Sequence, residues 1–417
     1  MELSSNINSH RTILHCDCNG YYASVECLMR PELCHLPMAV TGNPENRHGI
    51  ILAKNQLAKE AGVITAETIS EAKRKCPHLV CVSPQHDLYQ EYSIKINNIY
   101  REYTERVEPF GIDESFLDMT ALWQNYAASP AQFADLLRKR IRENIGLTIS
   151  VGVSFNKILA KLGSDLKKPD ATTVISPKDL AAKVWPLDIT NLLYVGKVTA
   201  ERLRVININT IGDLAKTDPD FLVSYLGKIG ENLSLYARGL ENSEVQKYSE
   251  LDEAKSIGNG MTFSEDLTDW TKIKEGLSGL VDEVVTRLIR SRKLCNVIQV
   301  QLKSSDFQVY SRQTTLSQHI QKREQVWTIV WQLINELWDE TTPIRLLAVT
   351  VSGLENQGEV YTQMSLADIS SSGKKTVVGG NKKAKDSKKQ DQIKNLIFKL
   401  NQQMGGNYLK LGRNKEL

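Results

Sequence analysis

Short apolar runs alternate with stretches of helical periodicity over residues 12–175, with glycine, proline and polar turns between them. Thr12–Cys18 reads as a buried strand and Tyr21–Met29 as a helix stopped by Pro31. Strands follow at Pro37–Gly42, Ile50–Ala53 and Leu79–Ser83, with helices at 55–61, closed by Gly62, and at Thr68–Lys75. Tyr89, Tyr92, Ile96, Ile99 and Tyr103 fall at helical spacing and predict one long helix from Asp87 to Val107. Phe133, Leu136, Leu137 and Ile141 mark an amphipathic helix ended by Gly146. A strand at Thr148–Ser154 then leads into a lysine-rich helix that runs to Lys168-Pro169. Strands alternating with helices in this way predict an α+β fold.

The pattern changes twice further on. Residues 176–247 read as short helices, two of them opened by the glycine turns Tyr194-Val195-Gly196-Lys197 and Leu226-Gly227-Lys228-Ile229-Gly230. The polar segment 248–255 reads as a linker. Residues 256–354 follow a β-α-β-β-α-β order, which is ferredoxin-like. Ser370–Gln390 is rich in Ser, Gly and Lys and predicts disorder; Gln392–Met404 has an amphipathic, helix-compatible pattern.

A chain of 417 residues suggests two to four domains. No apolar run reaches the roughly 18–20 residues needed to span a bilayer, and Met1–Asn6 shows no secretory pattern. Seven cysteines without paired C-x-x-C spacing suit reduced thiols in the cytoplasm rather than disulfides or a zinc site. The net charge of +3 hides an asymmetry: Ser370–Leu417 holds 12 Lys and Arg against 3 Asp and Glu, so the rest of the chain is net acidic. Such a tail suits a polyanion, and equally a solubilising linker.

The chemistry concentrates in acids placed where buried strands should have none. Asp17 interrupts Ile13-Leu14-His15-Cys16-Asp17-Cys18-Asn19, and Asp113 and Glu114 stand side by side in Pro109-Phe110-Gly111-Ile112-Asp113-Glu114-Ser115-Phe116-Leu117-Asp118. A buried carboxylate is costly unless it is paired or binds a metal. Neighbours on a strand face opposite ways, so Asp113 and Glu114 can share a site only across a turn or bulge, which Gly111 could allow. Three oxygen ligands with no histidine expected nearby favour Mg²⁺ or Mn²⁺ over Zn²⁺. The chemistry that fits is phosphoryl or nucleotidyl transfer.

These blocks, with Tyr21-Tyr22-Ala23-Ser24-Val25-Glu26, Val151-Gly152-Val153-Ser154-Phe155-Asn156-Lys157-Ile158-Leu159-Ala160-Lys161 and Lys167-Lys168-Pro169, resemble a Y-family DNA polymerase of the bacterial DNA polymerase IV type. The resemblance spans about residues 12–355. It implies a right hand with palm (1–30 and 86–175), fingers (31–85), helical thumb (176–247), linker (248–255), little finger (256–355) and a basic tail (356–417). It implies low-fidelity translesion synthesis from primer-template DNA and deoxynucleoside triphosphates, by a cytoplasmic monomer. The metal ligands fall on Asp17, Asp113, Glu114 and the backbone carbonyl of Cys18, holding two Mg²⁺; the sugar-excluding ring falls on Tyr22 and the triphosphate lysine on Lys168. Gln56 and Lys59 stand where the family usually has tyrosine and arginine; Lys59 keeps charge without a bidentate fork.

The glycine turns resemble helix-hairpin-helix elements, in which Gly196, Lys197, Gly227, Lys228 and Gly230 would hold DNA phosphates; plain helix packing is the alternative. In the little finger, Lys303, Arg312, Lys322 and Arg323 are candidates for phosphate contacts, whereas Lys157 and Lys161 read as solvated. Gln363-Met364-Ser365-Leu366-Ala367 resembles a sliding-clamp peptide that lacks its terminal aromatic. Two rivals stand beside the polymerase: a non-catalytic DNA-damage scaffold of the same fold, which would not need buried acids, and a nucleotide cyclase, which would not need the glycine turns.

Overall fold

β1 (Ile13–Cys18) is buried at every position, because helices cover both faces of its sheet. The structure, a computed structural model, describes residues 10–42, 49–251 and 253–358. The suspected clamp peptide at 363–367 and the basic tail beyond 358 lie outside them. After β1 come α1 (Tyr21–Met29), β2 (Met38–Thr41), β3 (Ile51–Lys54), α2 (Gln56–Glu60), α3 (Ile69–Lys75), β4 (Val80–Val82) and α4 (His86–Arg101). They are followed by β5 (Val107–Pro109), β6 (Glu114–Asp118), α5 (Pro130–Ile145), β7 (Ile149–Ser154), α6 (Lys157–Leu166) and β8 (Thr172–Val174).

The main sheet has the order β5-β6-β1-β7-β8, and β2 joins β3 and β4 in a smaller sheet. The long helix expected to reach Val107 stops at Arg101; Val107 starts β5 instead and pairs with Leu117 of β6. Side-chain alternation splits β1 cleanly. Leu14, Cys16 and Cys18 join a core with Tyr89, Ile96 and Tyr100 of α4 and Phe133, Leu137 and Ile141 of α5. Ile13, His15 and Asp17 face the other way, where Ile13 meets Ala160 of α6.

Gly152 of β7 is what lets α6 come so close to the sheet. A Cβ built there would lie 1.9 Å from the Ala160 carbonyl oxygen and 2.4 Å from the Ser164 nitrogen. The missing side chain puts helix backbone directly on strand backbone. Asn156 caps α6 by accepting from the Leu159 N–H at 2.9 Å.

The next core is helical, with α7 (Lys197–Val205), α8 (Ile211–Lys216), α9 (Pro219–Leu226) and α10 (Lys228–Ala237). Beyond it come β9 (Ser256–Leu267), α11 (Trp270–Arg290), β10 (Lys293–Ser304), β11 (Val309–Ile320), α12 (Arg323–Leu337) and β12 (Ile344–Asn356), the predicted β-α-β-β-α-β sequence of elements. Their sheet runs β11-β10-β12-β9 with every neighbour antiparallel, so the element order is as expected but the second and fourth strands lie at the centre, where a ferredoxin-like sheet has its first and third. α11 and α12 close a separate core on one of its faces. Among the described residues no helix is long and apolar enough to cross a membrane.

Candidate active site

The strand register brings two of the acids together. Asp17 of β1 stands directly opposite Glu114 of β6, and residues opposed in an antiparallel pair share a face. Asp113 lies just outside β6, where the hairpin turns: the N–H groups of Phe110 and Gly111 both donate to the Glu114 carbonyl, and the Asp113 carbonyl accepts from the Cys18 N–H at 3.0 Å. The hairpin end thus frees Asp113 from strict alternation, and Gly111 does so without a left-handed conformation. All three acids and Cys18 line one cavity of about 850 Å³.

Lys161, expected to be solvated, is instead the centre of this charge cluster. Its Nζ lies 3.0 Å from Asp17 Oδ2, 3.2 Å from Glu114 Oε1 and 3.2 Å from Asp165 Oδ2. Lys157 is likewise held inward, at 2.9 Å from Glu108. Both sit on the face of α6 that the Gly152 contact presses onto the sheet, an effect invisible in helical periodicity alone. Lys168 reaches Asp17 Oδ1 at 2.8 Å and Asp165 Oδ1 at 2.9 Å. Burial opposes the charge on Lys161, yet Asp17 and Glu114 carry its pKa above the ordinary lysine value. Burial, with Asp17 and Glu114 nearby, pushes the Asp113 carboxyl up to about 6. Glu114 moves the other way despite burial, because His15 and Lys161 stabilise its charged form.

A histidine does stand beside the acids, contrary to expectation. His15 is fully buried, with Nε2 at 3.3 Å from Glu114 Oε2 and Nδ1 at 2.8 Å from Ser164 Oγ. His15, Asp17 and Glu114 each offer a ligand atom within 4.8 Å of the others. The signal was present in the sequence, since His15 and Asp17 share strand parity. Asn19 does not join the carboxylates: it donates to Ser150 Oγ at 2.9 Å and accepts from the Asp170 N–H at 2.8 Å, tying β7 to the Lys168-Pro169 loop. The donor set fits hard divalent cations. Two ammonium groups sit on the oxygens of Asp17, so the cluster demands positive charge.

The cavity extends from the acids to Tyr22, Gln56, Lys59 and Lys54. Gln56 is exposed and donates to Glu60 Oε1 at 2.9 Å, and Lys59 is exposed beside it. Lys54 was not singled out from the sequence. It donates to Thr65 Oγ1 at 2.8 Å, and burial and nearby Lys59 lower its pKa. Tyr22 lies on the buried ring of Tyr89, with centroids 4.2 Å apart and planes within 15°.

The sequence of the impB/mucB/samB family matches residues 16–165, and that of its C-terminal domain matches residues 254–366. The DNA polymerase IV of Acetivibrio thermocellus is 42% identical over 85% of this chain and 89% of its own length. The chain belongs to the impB/mucB/samB family, the Y-family DNA polymerases. The DNA polymerase IV of Oceanobacillus iheyensis is 33% identical over 99% of this chain and 94% of its own. A solved Y-family DNA polymerase chimera of Dbh and Dpo4 shares the fold, with a TM-score of 0.75 at 23% identity, covering 83% of this chain and 99% of that one.

The remaining expected contacts of this Y-family chain are spread over the helical core and the last sheet. Gly196 and Gly227 are exposed at the starts of α7 and α10, followed by exposed Lys197 and Lys228. Gly230 does not fit a phosphate role: its N–H is bonded to the Gly227 carbonyl, and a Cβ there would lie 2.1 Å from the Leu222 carbonyl. It is a close-packing point between α9 and α10. Lys303 and Arg312, expected on one patch, face opposite ways. Lys303 shares strand parity with Gln299 and Gln301 on the open face, with its Nζ 5.0 Å from the Phe307 ring centre. Arg312 stands opposite buried Val300, so it points to the helix-covered side, exposed because β11 is an edge strand. Arg323 belongs to the helical layer, where it meets Asp282 and Ser278.

Proposed function

We propose that Asp17, Asp113, Glu114 and the Cys18 carbonyl hold two Mg²⁺ ions, or Mn²⁺ in their place, with which this DNA-directed DNA polymerase extends a primer across intact and damaged template. When bound, such ions lower the pKa of the primer 3′-OH and stabilise the pyrophosphate leaving group. The chain's own residues do the rest. Asp17 and Glu114 present oxygens from paired strands, and Asp113 adds a third carboxylate from the hairpin end. Lys168, within reach of Asp17, turns its ammonium to the incoming triphosphate, and Lys59, Gln56 and Lys54 line the same cavity. Tyr22 lies beneath the sugar, where its ring excludes a ribose 2′-OH.

The observation that supports this reading is the pairing of Asp17 with Glu114 at a cavity that also holds Tyr22 and four lysines. The domain reading that accompanies it places the palm at 1–30 and 86–175, fingers at 31–85 and thumb at 176–247. The linker is 248–255, the little finger 256–355 and the tail 356–417. Gly196, Lys197, Gly227 and Lys228 in the thumb and Lys303 in the little finger contact primer-template phosphates, and the enzyme acts as a cytoplasmic monomer. A weak sliding-clamp contact through 363–367 is part of the reading; a clamp pull-down that is the same with and without residues 356–417 removes it.

Primer extension with Mg²⁺ and four deoxynucleotides, on undamaged and lesion-bearing templates, tests the centre. Extension by wild type but not by Glu114→Gln or Asp113→Asn is expected. Absence of extension by every form, with DNA binding intact, would favour the non-catalytic scaffold.

A further inference from the structure

The ring of Tyr22 has one face on the nucleotide cavity and the other on Tyr89, and the anchoring of Tyr89 is unusually complete. Tyr89 is fully buried in α4. Its hydroxyl donates to Glu26 Oε1 at 2.5 Å, and its carbonyl accepts from the Tyr21 hydroxyl at 2.6 Å. Glu26, also fully buried, is held by Arg30 and by the Gln85 amide at 3.0 and 3.2 Å. A buried carboxylate with this many donors is fixed in place, because each lost partner would leave a desolvated charge unpaired.

A ring that discriminates a hydroxyl from a hydrogen works only while it cannot move aside. Tyr22 is not itself locked by burial, and among the described residues nothing hydrogen-bonds its hydroxyl; its ring stacks on Tyr89 and packs at the margin of the apolar core. The perpendicular edge of His86, with centroids 6.0 Å away, closes a second side. We infer that Tyr89, anchored by Glu26, is a positioning residue for sugar discrimination: it holds Tyr22 against the nucleotide and so sets how strongly ribonucleotides are rejected. The inference rests on the reading of Tyr22 as the ring beneath the sugar. It assigns a specificity role to two residues that touch neither nucleotide nor metal.

The test is single-nucleotide insertion of CTP and of dCTP opposite a template guanine, with kcat/KM measured for each. The variants are Tyr89→Leu, Tyr89→Phe and Tyr22→Ala. Losing an aromatic stack of this kind should raise the CTP/dCTP ratio of Tyr89→Leu by about tenfold. Tyr89→Phe keeps the stack but loses the Glu26 tether, and should fall between wild type and Tyr89→Leu. A purely structural role would lower both insertions together and leave the ratio unchanged, which overturns the inference. Tyr22→Ala separates the two levels. A raised ratio there with unchanged ratios in both Tyr89 variants sinks the positioning role alone; an unchanged ratio in Tyr22→Ala sinks the gate reading and this inference with it. Should Tyr89→Leu fail to fold, the volume-conserving Tyr89→Phe decides: a ratio above wild type supports the role, and equality refutes it.

Discussion

Lys161→Met removes a charge from the carboxylate cluster while keeping most of the buried stem. The lysine Nζ lies 3.0 Å from Asp17 and 3.2 Å from Glu114, with only 12% of its side chain exposed. At an effective dielectric constant near 20, each contact is worth about 5 kcal/mol of Coulomb attraction. Desolvation offsets much of this, and deleting one partner of a buried pair typically costs about 3–5 kcal/mol net, because the other charge is left uncompensated. In EDTA the variant should therefore melt lower than wild type, by on the order of 10 °C. Saturating Mg²⁺ should recover at least half of that difference, because the cation restores the missing positive charge and binds only the folded form. Thermal unfolding of both proteins in EDTA and in Mg²⁺ reads the result directly. Equal losses in the two conditions would mean that Lys161 supports packing rather than charge. No loss in either would mean that the acids do not need an internal counter-charge at all.

Lys59→Arg should lower the nucleotide KM in steady-state insertion, because a guanidinium grips phosphate bidentately where an ammonium cannot; an unchanged KM counts against a phosphate role for Lys59. Gly152→Ala should cost at least about 3 kcal/mol in denaturant unfolding, since its Cβ would collide with the backbone of α6; a fully stable variant would refute the close contact. Lys303→Ala should reduce the slope of log K against log salt for primer-template binding by about 1. Arg312→Ala, on the opposite face, should change that slope less, and the reverse order would show that the faces are misassigned.

The sequence exposed the parts of the site that depend on local pattern. An acid inside an apolar run betrays a cost that something must offset, and so Asp17 was legible, with Asp113 and Glu114 beside it. The β-α-β-β-α-β order was legible for the same reason: its strands and helices carry their own periodicities. Lys161 was not, because its role depends on how near α6 lies to β1, and that distance is set by the absence of a side chain on Gly152 of another strand. Periodicity also cannot see register. Lys303 and Arg312 look alike in the chain, and only the pairing of Arg312 with Val300 shows that they face apart. Val107 was absorbed into a helix because a single apolar residue fits either period, and its partner Leu117 decided the matter.

The direct seating of α6 on β7 has a mechanical consequence. Where two layers meet through side chains, rotamer changes provide a compliant cushion between them. At Gly152 that cushion is missing, so helix and sheet form one stiff beam whose thickness is set by van der Waals contact between backbone atoms. Lys161 and Asp17, carried on its two sides, keep their spacing when the rest of the molecule flexes. A motion that separated Lys161 from Asp17 would have to lift α6 off this contact.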